Sequence, residues 1–154
     1  LVAARGGRLI KTLGDEVLYV ADDAGTAADI ALRLVETMAN DETMPELRVG
    51  MAFGTVTTRM GDVFGTTVNL ASRLTSIAPR DGVLVDSAFA EELIRTKDAP
   101  ASEEEAAEAA ATAEKEGEEP PAYRFALQAM WPRPVRGLGV VEPWLLTWCN
   151  GDTP

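Results

Sequence analysis

The stretch GDVFGTTVNLASR, residues 61–73, decides the fold because a glycine-bounded segment passes directly into an amphipathic helix. Residues 61–65 are predicted to form a loop and residues 66–77 a helix. On that helix Asn69 and Arg73 are four residues apart, so an amide and a guanidinium share one face. The pattern predicts a directed polar face, although an ordinary solvated helix side has the same composition.

Strands and helices alternate on both sides of this stretch. Residues 8–13 and 16–20 are two extended runs around Gly14-Asp15, which is typical of a hairpin turn. Residues 24–38 carry apolar side chains at three- and four-residue spacing, and Ser87 is placed to cap another helix. Further extended runs are expected at residues 47–53, 55–60, 82–85, 123–128 and 135–146. Helices that follow strands in this order predict an α/β layer with a mixed sheet.

Residues 99–121 interrupt this alternation. They contain eight glutamates and one lysine and lack leucine, isoleucine, valine and aromatic residues. Such a segment has little to bury, so we predict a solvated, disordered insertion, with a marginal helix as the alternative. The chain is therefore divided into a core at residues 1–98, the insertion, the last strands of the core at 122–148 and a tail at 149–154.

Composition excludes several classes of function. The chain has 154 residues, a net charge of −11 and no histidine, which argues against binding to nucleic acid or anionic lipid and excludes histidine-dependent triads and zinc sites. No apolar run approaches the roughly 20 residues of a membrane span. The single cysteine, Cys149, cannot form an internal disulfide, which favours a reducing, cytoplasmic location without membrane contact. Because the chain starts at Leu1, we expect it to be part of a longer protein.

A second polar segment, KTLGDE at residues 11–16, lies at the predicted hairpin. Lys11 and Asp15 flank its tip. Taken alone, an aspartate there is more typical of a turn and a lysine of an exposed strand. One local pattern of this kind does not identify a site.

Together the two segments resemble the catalytic domain of class III nucleotide cyclases. GRLIKTLGD at residues 7–15 is similar to that family's metal-binding hairpin, and GDVFG followed by TVNLASR is similar to its transition-state helix. LRVGMAFG at 47–54 resembles the central strand of the family, and GVLV at 82–85 and VRGLG at 135–139 resemble its later strands. The resemblance covers residues 5–95 and 122–146. It implies an α/β (α+β) fold with a ferredoxin-like mixed sheet and helices on one face, lacking the family's first strand and helices.

The resemblance implies a reaction in which the ribose 3′-hydroxyl of a nucleoside triphosphate attacks the α-phosphorus and pyrophosphate leaves. Two divalent ions, Mg²⁺ or Mn²⁺, would activate the nucleophile and clamp the phosphates, with Asp15 as one ligand. Arg73 would neutralise charge on the α-phosphate and Asn69 would orient the ribose. Neither of these two roles needs a titrating side chain, so the absence of histidine is no handicap.

The resemblance also implies which purine is bound. Lys11 can donate to adenine N1 and Asp62 can accept from the exocyclic amine, whereas guanine presents the opposite polarity at both atoms. These residues therefore favour ATP and an adenylate cyclase, with guanylate cyclase as a lesser variant. In the family the site lies between two subunits, which implies a head-to-tail homodimer.

The chain departs from the family at two places. Nothing before Lys11 matches the earlier strand that supplies the other metal aspartate, and Leu138 stands where some members have a basic residue for the triphosphate. The chain alone is therefore expected to be poorly active. Two alternatives remain open at this point: a catalytically degenerate domain that binds a nucleotide or partner and regulates, and an unrelated ferredoxin-like domain with chance matches.

Overall fold

The computed structural model describes residues 1–149, so all of the predicted tail except Cys149 lies outside the described residues. A 3₁₀ turn at Ala3–Arg5 precedes the first strand. The α-helices are α1 (Ala24–Ala39), α2 (Thr66–Ile77), α3 (Ser87–Arg95) and α4 (Glu103–Glu116). The strands are β1 (Gly7–Leu13), β2 (Glu16–Ala21), β3 (Val49–Met51), β4 (Thr57–Arg59), β5 (Asp62–Phe64), β6 (Val83–Val85), β7 (Phe125–Ala129), β8 (Arg133–Val135), β9 (Gly139–Val141) and β10 (Trp144–Trp148). Within residues 1–149 no helix is both long enough and apolar enough to cross a bilayer.

The central sheet has four strands in the order β3-β6-β10-β7. β3 and β6 are parallel, whereas β10 is antiparallel to both of its neighbours. This arrangement confirms the predicted mixed sheet of an α+β fold. The larger buried cluster between the sheet and its helices contains Val83, Val85, Phe125 and Leu146 from β6, β7 and β10, and most of its other members come from α1 and α3.

The helices lie on both faces of this sheet, which corrects the expectation that they share one. Val83 and Val85 pack in one cluster with buried residues of α1 and α3. Leu84, which points to the opposite face because side chains alternate along a strand, packs instead with Leu74 of α2. Gly50 of β3 also faces α2, and a Cβ there would overlap the helix backbone at Ala71, Leu74 and Thr75. The absence of a side chain at position 50 therefore allows α2 to lie directly against the sheet.

Three hairpins lie outside the central sheet: β1–β2, β4–β5 and β8–β9. β1 and β2 pair through the Gly14-Asp15 turn, as predicted, and Gly14 adopts the positive φ of 60° that such a turn favours. β4 and β5 pair through Met60 and Gly61, which both have positive φ. The prediction of a loop at residues 61–65 is therefore wrong for its middle three residues. The turn between β4 and β5 is hard to predict because Met60, which is not a glycine, adopts the left-handed conformation that such residues seldom take.

The acidic segment is not disordered in the structure. Ser102 caps α4 by accepting the Glu105 backbone N–H at 3.1 Å, and Gly117 ends the helix in the left-handed conformation. Three glutamates in the first turn lie where the helix dipole favours negative charge. Ala113 is the buried residue of α4, so the helix forms on its own caps and propensity rather than on a packed face. The domain boundaries drawn on either side of this segment remain predictions.

Candidate functional site

An ion pair between Lys11 and Asp62 joins the β1–β2 hairpin to the β4–β5 hairpin. The Lys11 ammonium Nζ donates to Asp62 Oδ2 at 2.9 Å, although the residues are 51 positions apart in sequence. Lys11 extends from β1 near its bulge at Ile10, and Asp62 begins β5 directly after the Met60-Gly61 turn. The two side chains are about one-third exposed, at 38% and 30%, so both remain accessible to a ligand. The structure thus brings together the two residues that the resemblance assigns to purine recognition.

The Lys11 ammonium, as a hydrogen-bond donor, is the main cause that lowers the pKa of the Asp62 carboxyl below its ordinary value. The Val63 backbone N–H, which donates to Asp62 Oδ1 at 2.8 Å, lowers the pKa further. Asp62 is therefore ionised at neutral pH and accepts hydrogen bonds only. A ligand whose amine N–H donates a hydrogen bond to this carboxylate would match its polarity.

Substitution of Lys11 by methionine is expected to raise the pKa of Asp62 towards its ordinary value, because the largest stabilising contact of the carboxylate is lost. A carboxyl whose pKa is depressed in the fold stabilises the protein above its unfolded pKa and loses that contribution as pH falls. The stability difference between parent and K11M should therefore be present at neutral pH and vanish in acid. Carbon-13 NMR titration of the Asp62 carboxyl measures the shift. Arg8→Met, on the same strand beside Asp22, is the control, and an unchanged Asp62 pKa in K11M would contradict the assignment.

Asn69 and Arg73 lie on the exposed side of α2. The helix begins directly after β5, at Gly65, whose φ of 130° lets the chain turn from strand to helix. Leu74 of the same helix is fully buried, which fixes the rotation of α2 about its axis and leaves Asn69 and Arg73 accessible. Among residues 1–149 neither side chain has a hydrogen-bond or ion-pair partner. Both groups are accessible to a ligand.

Asp15 lies apart from these residues, exposed in the turn between β1 and β2. Within the described part of the chain, no three carboxylate or thiol groups lie together in a way that could hold a metal ion. Asp15 by itself supplies one hard oxygen ligand of the kind that Mg²⁺ and Mn²⁺ prefer. The donor set of residues 1–149 therefore fits one carboxylate contact to a metal–nucleotide complex and does not fit a complete two-ion centre.

A buried carboxylate beside the site was missed in the sequence. Asp86, 8% exposed, caps α3 by accepting the Phe89 N–H at 2.9 Å, so the expectation that Ser87 is the cap is wrong. Asp86 also lines a cavity of about 350 Å³ together with Thr66 and Thr67 at the start of α2. An aspartate at the end of an apolar strand and three residues before Phe89 is a good N-cap candidate. Ser87, the next residue, is also of a type preferred at the N-cap, so the sequence does not distinguish the two positions.

The mixed sheet and its helices form the fold of a nucleotide cyclase catalytic domain. A family model described as "Adenylate and Guanylate cyclase catalytic domain" matches residues 1–116, which is more than half of the chain. The chain belongs to this family of adenylate and guanylate cyclase catalytic domains.

Individual relatives agree with this family. The chain is 87% identical over 151 residues to an adenylate cyclase of Streptomyces coelicolor and 71% identical over 159 residues to an adenylate cyclase of Streptomyces griseus. These matches cover 98% and 95% of this chain, which spans about 40% of the length of each relative. Among solved structures, the catalytic core of a rhodopsin-guanylyl cyclase with converted specificity, in complex with ATPαS, has a TM-score of 0.70 at 21% identity, over 96% of this chain and 74% of that one. At this identity the likeness shows the fold.

Proposed function

We propose that this chain is the catalytic part of an adenylate cyclase that converts ATP to 3′,5′-cyclic AMP and pyrophosphate in cyclic-nucleotide signalling. The observation that carries the proposal is the 2.9 Å contact between Lys11 and Asp62 at the start of the segment that continues into α2. Both Streptomyces relatives named above are adenylate cyclases, which supports the same activity.

The Lys11–Asp62 pair reads the purine. Lys11 has only donors and ionised Asp62 has only acceptors, so together they match adenine, which accepts at N1 and donates from its exocyclic amine. Guanine donates at N1 and accepts at O6 and would face a like partner at both positions. In the free protein the two side chains satisfy each other, and adenine inserts between them by exchanging one charge-assisted hydrogen bond for two contacts to its edge.

Asn69 and Arg73 act on the ribose and the α-phosphate. The Asn69 amide orients the ribose so that its 3′-oxygen lies in line with the α-phosphorus and the leaving pyrophosphate. The Arg73 guanidinium stabilises the charge that develops on the α-phosphate oxygens as the new P–O bond forms. Their four-residue spacing on one helix face sets the two contacts about 6 Å apart, one helical turn.

Asp15 is proposed as the contact of this chain to a divalent ion. Mg²⁺ or Mn²⁺ bound with the triphosphate would supply neutralisation of the phosphate charge. A second ion requires ligands that residues 1–149 do not group with Asp15. The ligands must therefore be completed by protein outside these residues.

We also propose a head-to-tail homodimer with two composite sites, in the cytoplasm. The position of Asp15 supports the dimer, because it lies in the turn beyond the end of β1, away from the Lys11–Asp62 pair. In a composite site, Asp15 of one copy would serve the nucleotide that is held by positions 11, 62, 69 and 73 of the other copy. The free thiol of Cys149 fits a reducing compartment.

The proposal is tested with a hybrid chain in which this sequence replaces the matching segment of the Streptomyces coelicolor relative. Purified hybrid supplied with ATP and Mn²⁺ or Mg²⁺ is expected to form cyclic AMP and pyrophosphate in equal amounts, measured by chromatography, at a rate near that of the intact relative. The 154-residue chain by itself is expected to form far less. If the hybrid binds ATP in a calorimeter yet forms no cyclic AMP, the chain is a regulatory nucleotide-binding module and the proposed activity is wrong.

A further inference from the structure

Asp86 connects three parts of the fold that meet beside α2. Its backbone N–H donates to the Met51 carbonyl at 3.1 Å at the end of β3. Its carboxylate Oδ1 accepts from two backbone amides, Phe89 N at 2.9 Å in α3 and Phe53 N at 3.2 Å in the segment that follows β3. Burial raises the pKa of this carboxyl, and the backbone donors offset that cost. A serine would cap α3 equally well. The longer side chain of aspartate is needed for the second contact, to the Phe53 N–H.

The segment held by Asp86 is itself bonded to the first turn of α2. The Thr67 hydroxyl donates to the Thr55 carbonyl at 2.9 Å. Gly54 lies so close to this hydroxyl that a Cβ at position 54 would be 2.7 Å from Thr67 Oγ1. Residues 53–55 are therefore fixed at one end by the Asp86 carboxylate and at the other by the Thr67 side chain.

This segment contacts the start of α2 through the Thr67 hydroxyl, at a helix end that has no capping side chain. α1, α3 and α4 each begin with a residue whose side chain accepts a backbone N–H, whereas α2 begins after Gly65 and has no side-chain cap. Its first helical bond runs from Asn69 N to Gly65 O at 3.1 Å. The first turn of a helix frays unless something holds it, and the Thr67–Thr55 bond is a side-chain contact from this turn to the segment that follows β3.

We propose that Asp86 and Thr67 are positioning residues that hold the first turn of α2, and with it Asn69 and Arg73, at a fixed place relative to the sheet. This inference rests on the proposed cyclase function for its kinetic consequence, and its structural half stands without it. Neither residue touches the reacting atoms. Both lie on the wall of the 350 Å³ cavity at the start of α2.

The test compares the same substitution at two helix caps. Asp86→Ser keeps an acceptor for Phe89 N and is too short to reach Phe53 N as well, whereas Asp23→Ser changes the cap of α1, which accepts from Thr26 N. Asp86→Asn keeps the Oδ1 acceptor and is expected to restore the parent behaviour. Hydrogen–deuterium exchange of the 154-residue chain is read at the amides of residues 69–73. The hybrid chain is assayed for kcat and KM with ATP.

Asp86→Ser is expected to raise amide exchange at residues 69–73 by about 10-fold and to lower kcat about 10-fold with little change in KM, because misplaced groups cost rate more than binding. Asp23→Ser should change neither. If D86S exchange rises only within α3 and kcat is unchanged, Asp86 is a cap alone and the proposal is overturned. Should D86S fail to fold, Thr67→Val breaks the second bond of the same path, with Thr67→Ser as its conservative partner. A hybrid that lacks all cyclase activity refutes the proposed function, and the exchange measurement still decides the positioning role.

Discussion

Replacement of Arg73 by alanine is expected to lower kcat for cyclic AMP formation by about 100- to 1,000-fold, the loss typical when one donor to developing charge is removed. Arg73 is exposed on α2, and among residues 1–149 no side chain or carbonyl is bonded to it. The folded protein therefore loses no internal contact, and the thermal midpoint should stay within about 1 °C, as for a surface substitution of about 0.5 kcal/mol or less. Initial rates on the hybrid chain and a calorimetric melt measure both quantities.

Arg95→Ala is the matched control for this change. Arg95 is an exposed arginine on α3, paired with Glu92 one turn away, and exposed pairs of this kind contribute little to stability. R95A should keep the parent kcat. A large loss of melting temperature in R73A, or equal rates in R73A and R95A, would remove Arg73 from the reaction.

The R73A variant also tests the proposed composite dimer. An Asp15→Asn hybrid lacks the metal contact, and an Arg73→Ala hybrid lacks the phosphate contact, so each homodimer should be inactive. A mixed dimer carries one site with both defects and one intact site. In an equimolar mixture half of the dimers are mixed, and half of the sites in those dimers are intact. The mixture should therefore regain about a quarter of the parent activity. Activity that stays at the level of the separate variants would show that Asp15 and Arg73 serve the same copy.

The segments that could be predicted from the sequence are those whose signals are local. α1 follows from an apolar stripe with an aspartate before it, and Asp23 does accept the Thr26 N–H at 2.7 Å. The β1–β2 hairpin follows from alternation around a Gly-Asp turn. Lys11 and Asp62 were paired by resemblance alone, because nothing local links two residues 51 positions apart. Their roles in a reaction stay predictions.

The features that escaped depend on tertiary contacts or on competing local signals. Gly50 and Leu84 place α2 on the opposite face of the sheet from α1 and α3. The sequence pattern of a strand does not indicate which helix packs on each of its faces. The charge of residues 99–121 predicts disorder, whereas the caps at Ser102 and Gly117 favour the helix Glu103–Glu116 that the structure contains. The cap of α3 is Asp86, one residue before the predicted Ser87. In each case the deciding contact is made by a residue that looks unremarkable in sequence.

Exchange of polarity at the purine pair is expected to reverse nucleotide preference. Lys11→Glu places an acceptor opposite guanine N1–H, and Asp62→Asn places an amide donor opposite guanine O6. In the double variant, the ratio of kcat/KM for ATP over GTP should fall by about 1,000-fold relative to the parent, since base-edge contacts discriminate by about 2 kcal/mol each and two are inverted. Steady-state rates with both nucleotides on the hybrid chain give the ratio directly.

The two single variants separate recognition of the purine from damage to the fold. Lys11→Glu leaves one group matched to adenine and one to guanine, so it should lose activity with ATP without gaining it with GTP. The amide of Asp62→Asn can present either its oxygen or its NH2 group to the base, so this variant should reduce the preference for ATP by less than the double variant does. Thr12→Glu is the control, because Thr12 is the next residue of β1 and its side chain points to the opposite face. It changes the net charge by −1, as the double variant does, and should leave the preference for ATP intact. The double variant could instead lose activity with ATP and GTP equally, while its thermal midpoint and its amide exchange at residues 69–73 match the parent. In that case the Lys11–Asp62 ion pair only joins the two hairpins, and other residues recognise the purine.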